Sequence, residues 1–272
     1  MNLIASLQSI GVLLAAIGVL SLIEALIPLR ARGVAGRRHL APNLALTLIT
    51  FASNFVLNIP LLLGLAWLHG RGLGLFNAIA VPSAVAVLGS VVALDFAWYV
   101  THVTLHRVPA LWRFHVVHHC DVTVDVTTTI RQHPGESLIR YGFLAAFAFA
   151  LGAPLAGFAL YRIWSALHGQ IEHANIRLPQ GLDTAITWLF SSPNMHKIHH
   201  TRDPALADRN YANIFSGWDR LFGTFTPSRE GREVDYGLKG FDGVDRQSTL
   251  GLLAMPFQVP PDSSALPRPD AR

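Results

Sequence analysis

LDFAWYVTHVTLHRVPALWRFHVVHH, residues 94–119, changes character halfway along. It opens by closing a long apolar run that carries one acid, Asp95, and from there on holds His102, His106, His115, His118 and His119. In a helix, residues i, i+3 and i+4 share a face, so HVTLH aims two imidazoles at one point and HVVHH aims three. The same device returns in HKIHH, with His196, His199 and His200. At this chain's own histidine frequency, two HxxHH patterns have chance odds on the order of one in a thousand. A lone HxxxH is explained as an interfacial pair of satisfied histidines. Eight imidazoles near one face have no such packing rationale, because each needs a hydrogen-bond partner or water. Metal ligation satisfies the ring nitrogens directly. A zinc hydrolase site takes three protein ligands, so eight histidines suggest two ions. Zinc, copper, nickel and iron all accept imidazole, and spacing does not choose among them.

Outward from this stretch the chain is apolar in long blocks. Its 272 residues are 51% hydrophobic and 14% charged, with a mean hydropathy of +0.38, where a soluble domain carries about 25% charged residues. These values imply an all-α polytopic membrane protein and exclude disordered, coiled-coil and collagen-like chains. Blocks at Leu3–Leu29, Leu44–Leu68 and Leu73–Val100, the last interrupted by Pro82, predict three full spans. The first lacks the basic start and small-residue cleavage site of a leader peptide and is read as a span. A fourth apolar region, residues 137–170, is about 51 Å long as one helix. Leu151-Gly152-Ala153-Pro154 breaks it into a helical hairpin.

Arg30, Arg32, Arg37 and Arg38 follow the first span, against Arg71 alone after the second. Positive loops stay inside, which puts the first loop and, two crossings later, the histidines on the cytoplasmic side. The expected organisation is residues 1–100 as transmembrane spans, then 101–225 as a histidine-bearing region with the 137–170 hairpin and a cytosolic helical cap. Residues 226–272 follow as an interfacial segment and, from Val259, a disordered tail. Thr184–Phe190 and Leu250–Phe257 are amphipathic and expected at the membrane interface. Trp98, Trp112, Trp164 and Trp188 are expected there as anchors, and His39 and His69, between spans, read as interfacial. The single Cys120 excludes a disulfide framework, a Cys-rich zinc module and a self-contained iron–sulfur cluster. A net charge of +4 without a basic stripe argues against a nucleic-acid partner.

Asp95 lies seven residues before His102, hence on nearly the same helix face. A carboxylate near the end of an apolar span needs a polar partner, and a ligating imidazole needs an acceptor for its other nitrogen. Asp95 is therefore expected to hold such an imidazole. From these residues alone a lipid oxidoreductase, a zinc-dependent membrane hydrolase and a non-catalytic metal-binding membrane protein all remain open.

The ordered set of this stretch, RQHPGE, EHANIRLP, SSPNMHKIHH and DRNYANIFSGWDRLFGTF resembles the fatty acid hydroxylase and sterol desaturase superfamily over about Asp95–Phe225. The resemblance implies a histidine-ligated di-iron centre on the cytosolic face of a few membrane helices, with O2 as co-substrate and an external electron donor. It implies hydroxylation or desaturation at a C–H bond of a lipid or sterol. Carried over residue by residue, it makes His102, His106, His115, His118, His119, His196, His199 and His200 ligands and adds His173 of EHANIRLP as a ninth. Two octahedral irons would then keep about three open positions. His133 and His168 are placed beside the site, outside the ligand set. Asp208, Asn210 and Asp219 are implied to orient the last histidine box, with Glu136 in a similar role. The sequence carries no Rossmann fingerprint, iron–sulfur motif or fused haem domain. A separate reductase or cytochrome is therefore expected as partner, although related ether-lipid monooxygenases look to a pterin. Ala and Arg enrichment with few lysines suggests a bacterial chain and hence the plasma membrane.

Overall fold

Among the described residues, three helical stretches are long and apolar enough to cross a membrane, Gln8–Leu26, Leu40–Ala78 and Ser83–Arg107. The computed structural model describes residues 3–31 and 37–258. Arg32 and the tail expected from Val259 lie outside the described residues.

Helix α1 (Leu3–Leu26) ends just before Pro28. Its exit is fixed where Leu29 N–H donates to Asn175 O at 3.0 Å and Arg177 N–H to Ile27 O at 2.9 Å. Its acid, Glu24, is buried because the carboxylate accepts the backbone N–H groups of Val126 at 2.9 Å and Asn175 at 2.7 Å. Such charge-assisted bonds make a buried carboxylate tolerable in an apolar helix.

Helix α2 (Leu40–Gly70) starts four residues earlier than the hydropathy block and runs through Pro60. Its 31 residues extend about 46 Å, well beyond a hydrocarbon core of about 30 Å. The surplus is its first turns, where Asn43, Leu46, Thr47 and Thr50 are buried against the 3-10 turn Val126–Ile130.

The third expected span begins late. Residues 73–82 form a turn and the short helix α3 (Leu75–Ala78), and α4 (Ser83–Arg107) starts only after Pro82. Proline tolerates the first helical turn but removes an interior hydrogen bond, so the block divides there. At its other end α4 continues past Val100 to Arg107, which puts HVTLH on the last turns of the span itself. The boundary expected at 100/101 therefore falls inside a helix.

Pro109 then starts α5 (Pro109–His119), which carries HVVHH. Helix α6 (Pro134–Leu151) and α7 (Leu155–His173) meet at the expected break. Gly152 adopts a left-handed φ of 61° and Gly74, packed on it, a φ of 101°. A Cβ on Gly74 would stand 2.3 Å from Gly152 Cα, so the two turns touch only because both are glycine. The arms pack chiefly against α4 rather than each other, Gly157 of α7 seating closely on Ser90. Leu61, Leu65, Val91, Leu94, Leu144 and Phe158 fill the apolar core between α2, α4, α6 and α7.

The remaining chain forms α8 (Gln180–Ile186), α9 (Pro193–His199), α10 (Gly217–Leu221) and α11 (Thr249–Ala254) over the histidine-bearing ends. Leu250 and Phe257 are exposed while Leu252 and Met255 are buried, an amphipathic pattern. Trp188 and Leu189 are exposed. Trp112, expected as an interface anchor, is instead buried with Val116, Leu252 and Met255 beneath α5. It packs at a tilt on His106 and His119, ring centroids 4.8 Å and 5.3 Å away, where a large flat side chain closes the back of the site.

Candidate metal centre

Four helices bring the histidines together. His102 and His106 come from α4, His115, His118 and His119 from α5, His173 from the last turn of α7, and His196 and His199 from α9, with His200 capping its end. Pro193 starts α9 and Ser192 Oγ caps it by accepting Met195 N–H at 3.2 Å, so the short helix presents its histidines in a fixed register.

Two groups result. His102, His106, His115, His119 and His199 form one, and His118, His173, His196 and His200 the other; within each, the ligand atoms all lie within 4.8 Å of one another. Nε2 atoms face each other at 3.1 Å for His102 and His115, 3.1 Å for His115 and His119, and 3.2 Å for His106 and His119. In the second group His173 Nε2 is 3.1 Å from those of His118 and His196 and 3.2 Å from that of His200. Donors about 2.1 Å from one metal sit about 3.0 Å apart on an octahedral edge. All nine rings are buried.

The other ring nitrogens explain why these contacts are not hydrogen bonds. His102 Nδ1 faces Tyr211 O at 2.8 Å, His199 Nδ1 faces Arg209 O at 2.9 Å, and His173 Nδ1 faces Gly169 O at 2.7 Å. A carbonyl only accepts, so these Nδ1 atoms carry the proton and the Nε2 atoms present lone pairs. His115 Nδ1 likewise donates to Glu136 Oε1 at 3.0 Å, and His106 Nδ1 to Asp208 Oδ1 at 3.0 Å. Bare lone pairs of His102 and His115 therefore meet at 3.1 Å. That repulsion is relieved by a cation between them, and the residues fit a pair of metal ions. Burial, aided by the neighbouring imidazoles, holds His115, His118, His119, His196, His199 and His200 well below the usual histidine range. They are neutral at pH 7, which is the ligating form.

Asp95 does not reach an imidazole. Its carboxylate accepts the backbone N–H groups of Ile214 at 3.1 Å and Phe215 at 3.0 Å and the Trp218 indole N–H at 2.9 Å. Three donors from one loop saturate it, and His102 turns to the carbonyl of Tyr211 instead. Asp219 accepts Tyr211 N–H at 2.8 Å, Ala212 N–H at 3.0 Å and the Thr224 hydroxyl at 2.7 Å. The two acids thus hold residues 211–218 between them by five backbone and indole N–H groups.

Asn210 donates to Met195 O at 2.9 Å and Thr226 O at 3.0 Å and accepts Thr226 N–H at 2.8 Å, tying this loop to the start of α9. Asp208 and Asn210 adopt left-handed φ of 61° and 54°, which Asp and Asn tolerate best among side-chain-bearing residues. The kinked run Asp208–Tyr211 thereby hands acceptors to His106, His199 and His102 in turn.

His133 caps α6 by accepting Gly135 N–H at 2.9 Å, and His168 faces Ser191 O at 2.9 Å; neither belongs to a histidine group. His69 is exposed. His39 is not interfacial: it is buried between Asp121 at 3.2 Å and Asp125 at 3.2 Å. Burial alone would lower its pKa, but the two carboxylates push it up to about 9. Sequence reasoning also passed over Glu172, buried 3.7 Å from His196 Nδ1, although it directly precedes His173. Tyr211, whose carbonyl serves His102, left no local signal beyond its place in DRNY.

A cavity of about 610 Å³ opens onto the centre and is lined there by His102, His115, His118, His173 and His196. From the histidines it runs between α2, α4, α6 and α7 to an apolar end at Leu62, Leu144 and Leu155.

The sequence matches the family described as fatty acid hydroxylase over residues 87–224. An alkylglycerol monooxygenase of Xenopus tropicalis is 32% identical over 145 residues, 53% of this chain and 31% of the relative. Ornithine lipid hydroxylase OlsE of Rhizobium tropici is 31% identical over 176 residues, 65% of this chain and 51% of the relative. A cholesterol 25-hydroxylase-like protein of Danio rerio is 30% identical over 135 residues, 48% of this chain and 51% of the relative. The chain thus aligns with between about a third and a half of these relatives' lengths. No solved structure gives a significant match.

Proposed function

The chain belongs to the fatty acid hydroxylase and sterol desaturase superfamily, and from that premise we propose that it is an O2-dependent membrane lipid hydroxylase whose nine histidines hold two irons. The observation that carries this reading is the set of imidazole lone pairs converging in two adjacent groups, one of five residues and one of four. When bound, such a pair of irons supplies O2 activation and the oxidation of an unactivated C–H bond. The balance is R–H + O2 + 2 electrons + 2 protons → R–OH + H2O. Nine imidazoles are neutral donors, so counter-charge would come from Asp208 beside His106, and from Glu136 beside His115 and Glu172 near His196, whose burial pushes both acids up until a bound cation draws off the proton. The protein's own contribution is position. Cavity walls from α2, α6 and α7 align the lipid chain with the histidines, and the cap of α8–α11 excludes water above them.

The substrate enters from the bilayer, which a site at the end of a spanning helix allows. Electrons come from a separate reductase or cytochrome. The centre lies on the cytoplasmic side of an integral membrane protein, in the plasma membrane if the host is bacterial, as the arginines after α1 favour. Lipid mass spectrometry of cells with and without the gene tests the reaction. A gain of 16 Da that is lost in His118→Ala and His199→Ala supports hydroxylation, and a loss of 2 Da replaces it with desaturation. Turnover that persists without O2, in protein loaded with zinc, replaces it with a hydrolase.

A further inference from the structure

The cavity has an edge, and the exposure of its wall shows where. Phe158 and Leu144 line the interior and are only 3% and 7% exposed. Phe55 and Ile59 of α2 and Leu155 and Ile163 of α7 line it as well, yet they are 43%, 49%, 44% and 40% exposed. Cavity space alone leaves a wall residue nearly buried, so these four also face outward. Each pair recurs at helical spacing, four residues apart on α2 and eight on α7, and so runs along one face of its helix. All four side chains are pure hydrocarbon.

The four stand on two sides of a gap. Helix α2 packs chiefly on α6, and α7 on α4 and α1. Gln170 Nε2 donates to Leu13 O at 3.2 Å, which pins α1 to α7 on the side of the gap nearer the histidines. Ile59 lies nine residues beyond Thr50, whose hydroxyl donates to Gln132 O at the histidine-bearing end. Ile163 lies ten residues before His173. These separations are about 14 Å and 15 Å along the two helices, half of a hydrocarbon core of about 30 Å. Two helices thus place the edge at one depth, near the mid-plane of the bilayer. A hydrocarbon edge there suits lipid chains and offers a charged group no partner.

We infer that the gap between α2 and α7 is the lateral port of the cavity, with Phe55, Ile59, Leu155 and Ile163 as its rim, and that it admits the hydrocarbon chain of a bilayer lipid. This rests on the lipid-hydroxylase reading and adds to it the place of entry and the part of the substrate that leads. A charged head entering first would have to cross an apolar rim in the middle of the membrane. From the rim to the histidines is about the depth of one leaflet, so a chain of membrane length reaches the centre once it is through.

Photolabelling tests it without turnover. Purified full-length protein in phosphatidylcholine nanodiscs is mixed with hexadecanol carrying a diazirine at its methyl end, irradiated, and mapped by mass spectrometry. The parent protein should be labelled inside, at Leu144 or Phe158, as well as outside, at the exposed Val56 or Leu88. Ile59→Trp with Ile163→Trp should lower the inside label at least about fivefold, the low end of what overfilling a packed space costs, and leave the outside label unchanged. Leu63→Trp with Leu160→Trp, exposed on the same helices but away from the cavity, should change neither. Ile59→Ala with Ile163→Ala widens the rim and should raise the inside label, which decides the matter if the Trp pair does not fold. A parent protein labelled only outside, as when a second copy of the chain covers the gap, overturns the inference. So does an inside label that neither rim pair alters, or that the off-rim pair lowers as much. The expected pattern in iron-loaded protein that consumes no O2 sinks the hydroxylase reading alone.

Discussion

His119 and His200 stack ring on ring, centroids 4.6 Å apart and planes 18° from parallel, although they belong to different histidine groups. HVVHH supplies both groups at once, His115 and His119 to one and His118 to the other, and HKIHH does the same with His199 against His196 and His200. The two histidine groups therefore share α5 and α9, and neither can shift without moving the other.

Loss of one ligand should for that reason empty both positions. His118→Ala and His199→Ala strike different groups, and each is expected to abolish metal loading and activity while membrane insertion persists. Elemental analysis of the purified variants, with fractionation of the membranes, checks this. A variant that keeps full loading in the untouched group would show the positions to be independent.

Glu136 Oε1 serves His115 at 3.0 Å and Arg140 at 3.2 Å together. Glu136→Gln keeps the shape but removes the charge that orients His115. Partners of this kind typically govern metal affinity or activity by about 10- to 100-fold, and a loss in that range is expected with little change in thermal stability. Metal titration of the purified variant measures it.

Asp95 is a fastening for the loop that carries Tyr211. Asp95→Ala strands the buried N–H groups of Ile214 and Phe215 and the Trp218 indole. A cost of about 3–5 kcal/mol is expected from that many broken charge-assisted bonds. It should appear as a lower melting temperature of metal-free protein, whereas a pure effect on turnover would contradict the assignment.

His39 makes stability depend on pH. Its pKa in the fold, about 9, is above the ordinary 6.5. The stabilisation is therefore complete below about pH 6.5 and is lost as pH rises through about 9. Its size is on the order of 3 kcal/mol by linkage. His39→Gln should flatten the melting temperature between these limits and lower it most near pH 6; an unchanged slope would remove His39 as its source.

What the sequence made legible was periodic or repeated. Apolar blocks located the three long helices, Gly152 with Pro154 located the break between α6 and α7, and repeated HxxHH located the histidines. What escaped was set by partners far along the chain. His39 reads as a loop histidine until Asp121, 82 residues away, is folded beside it. Arg131 looks like a surface charge, yet it is fully buried, donating to Val117 O at 2.8 Å, Asn43 Oδ1 at 2.8 Å and Gln247 Oε1 at 2.8 Å. The spacing of Asp95 and His102 suggests a direct contact, but spacing cannot count competing donors. Residues 214–218 supplied three of them.

The most direct test is the metal itself. Protein purified from iron-replete cells grown on 57Fe should hold two irons per chain, and its Mössbauer spectrum should report a coupled pair with nitrogen ligation. A single zinc per chain, or two irons bound at sites that behave as isolated ions, would contradict a shared binuclear centre.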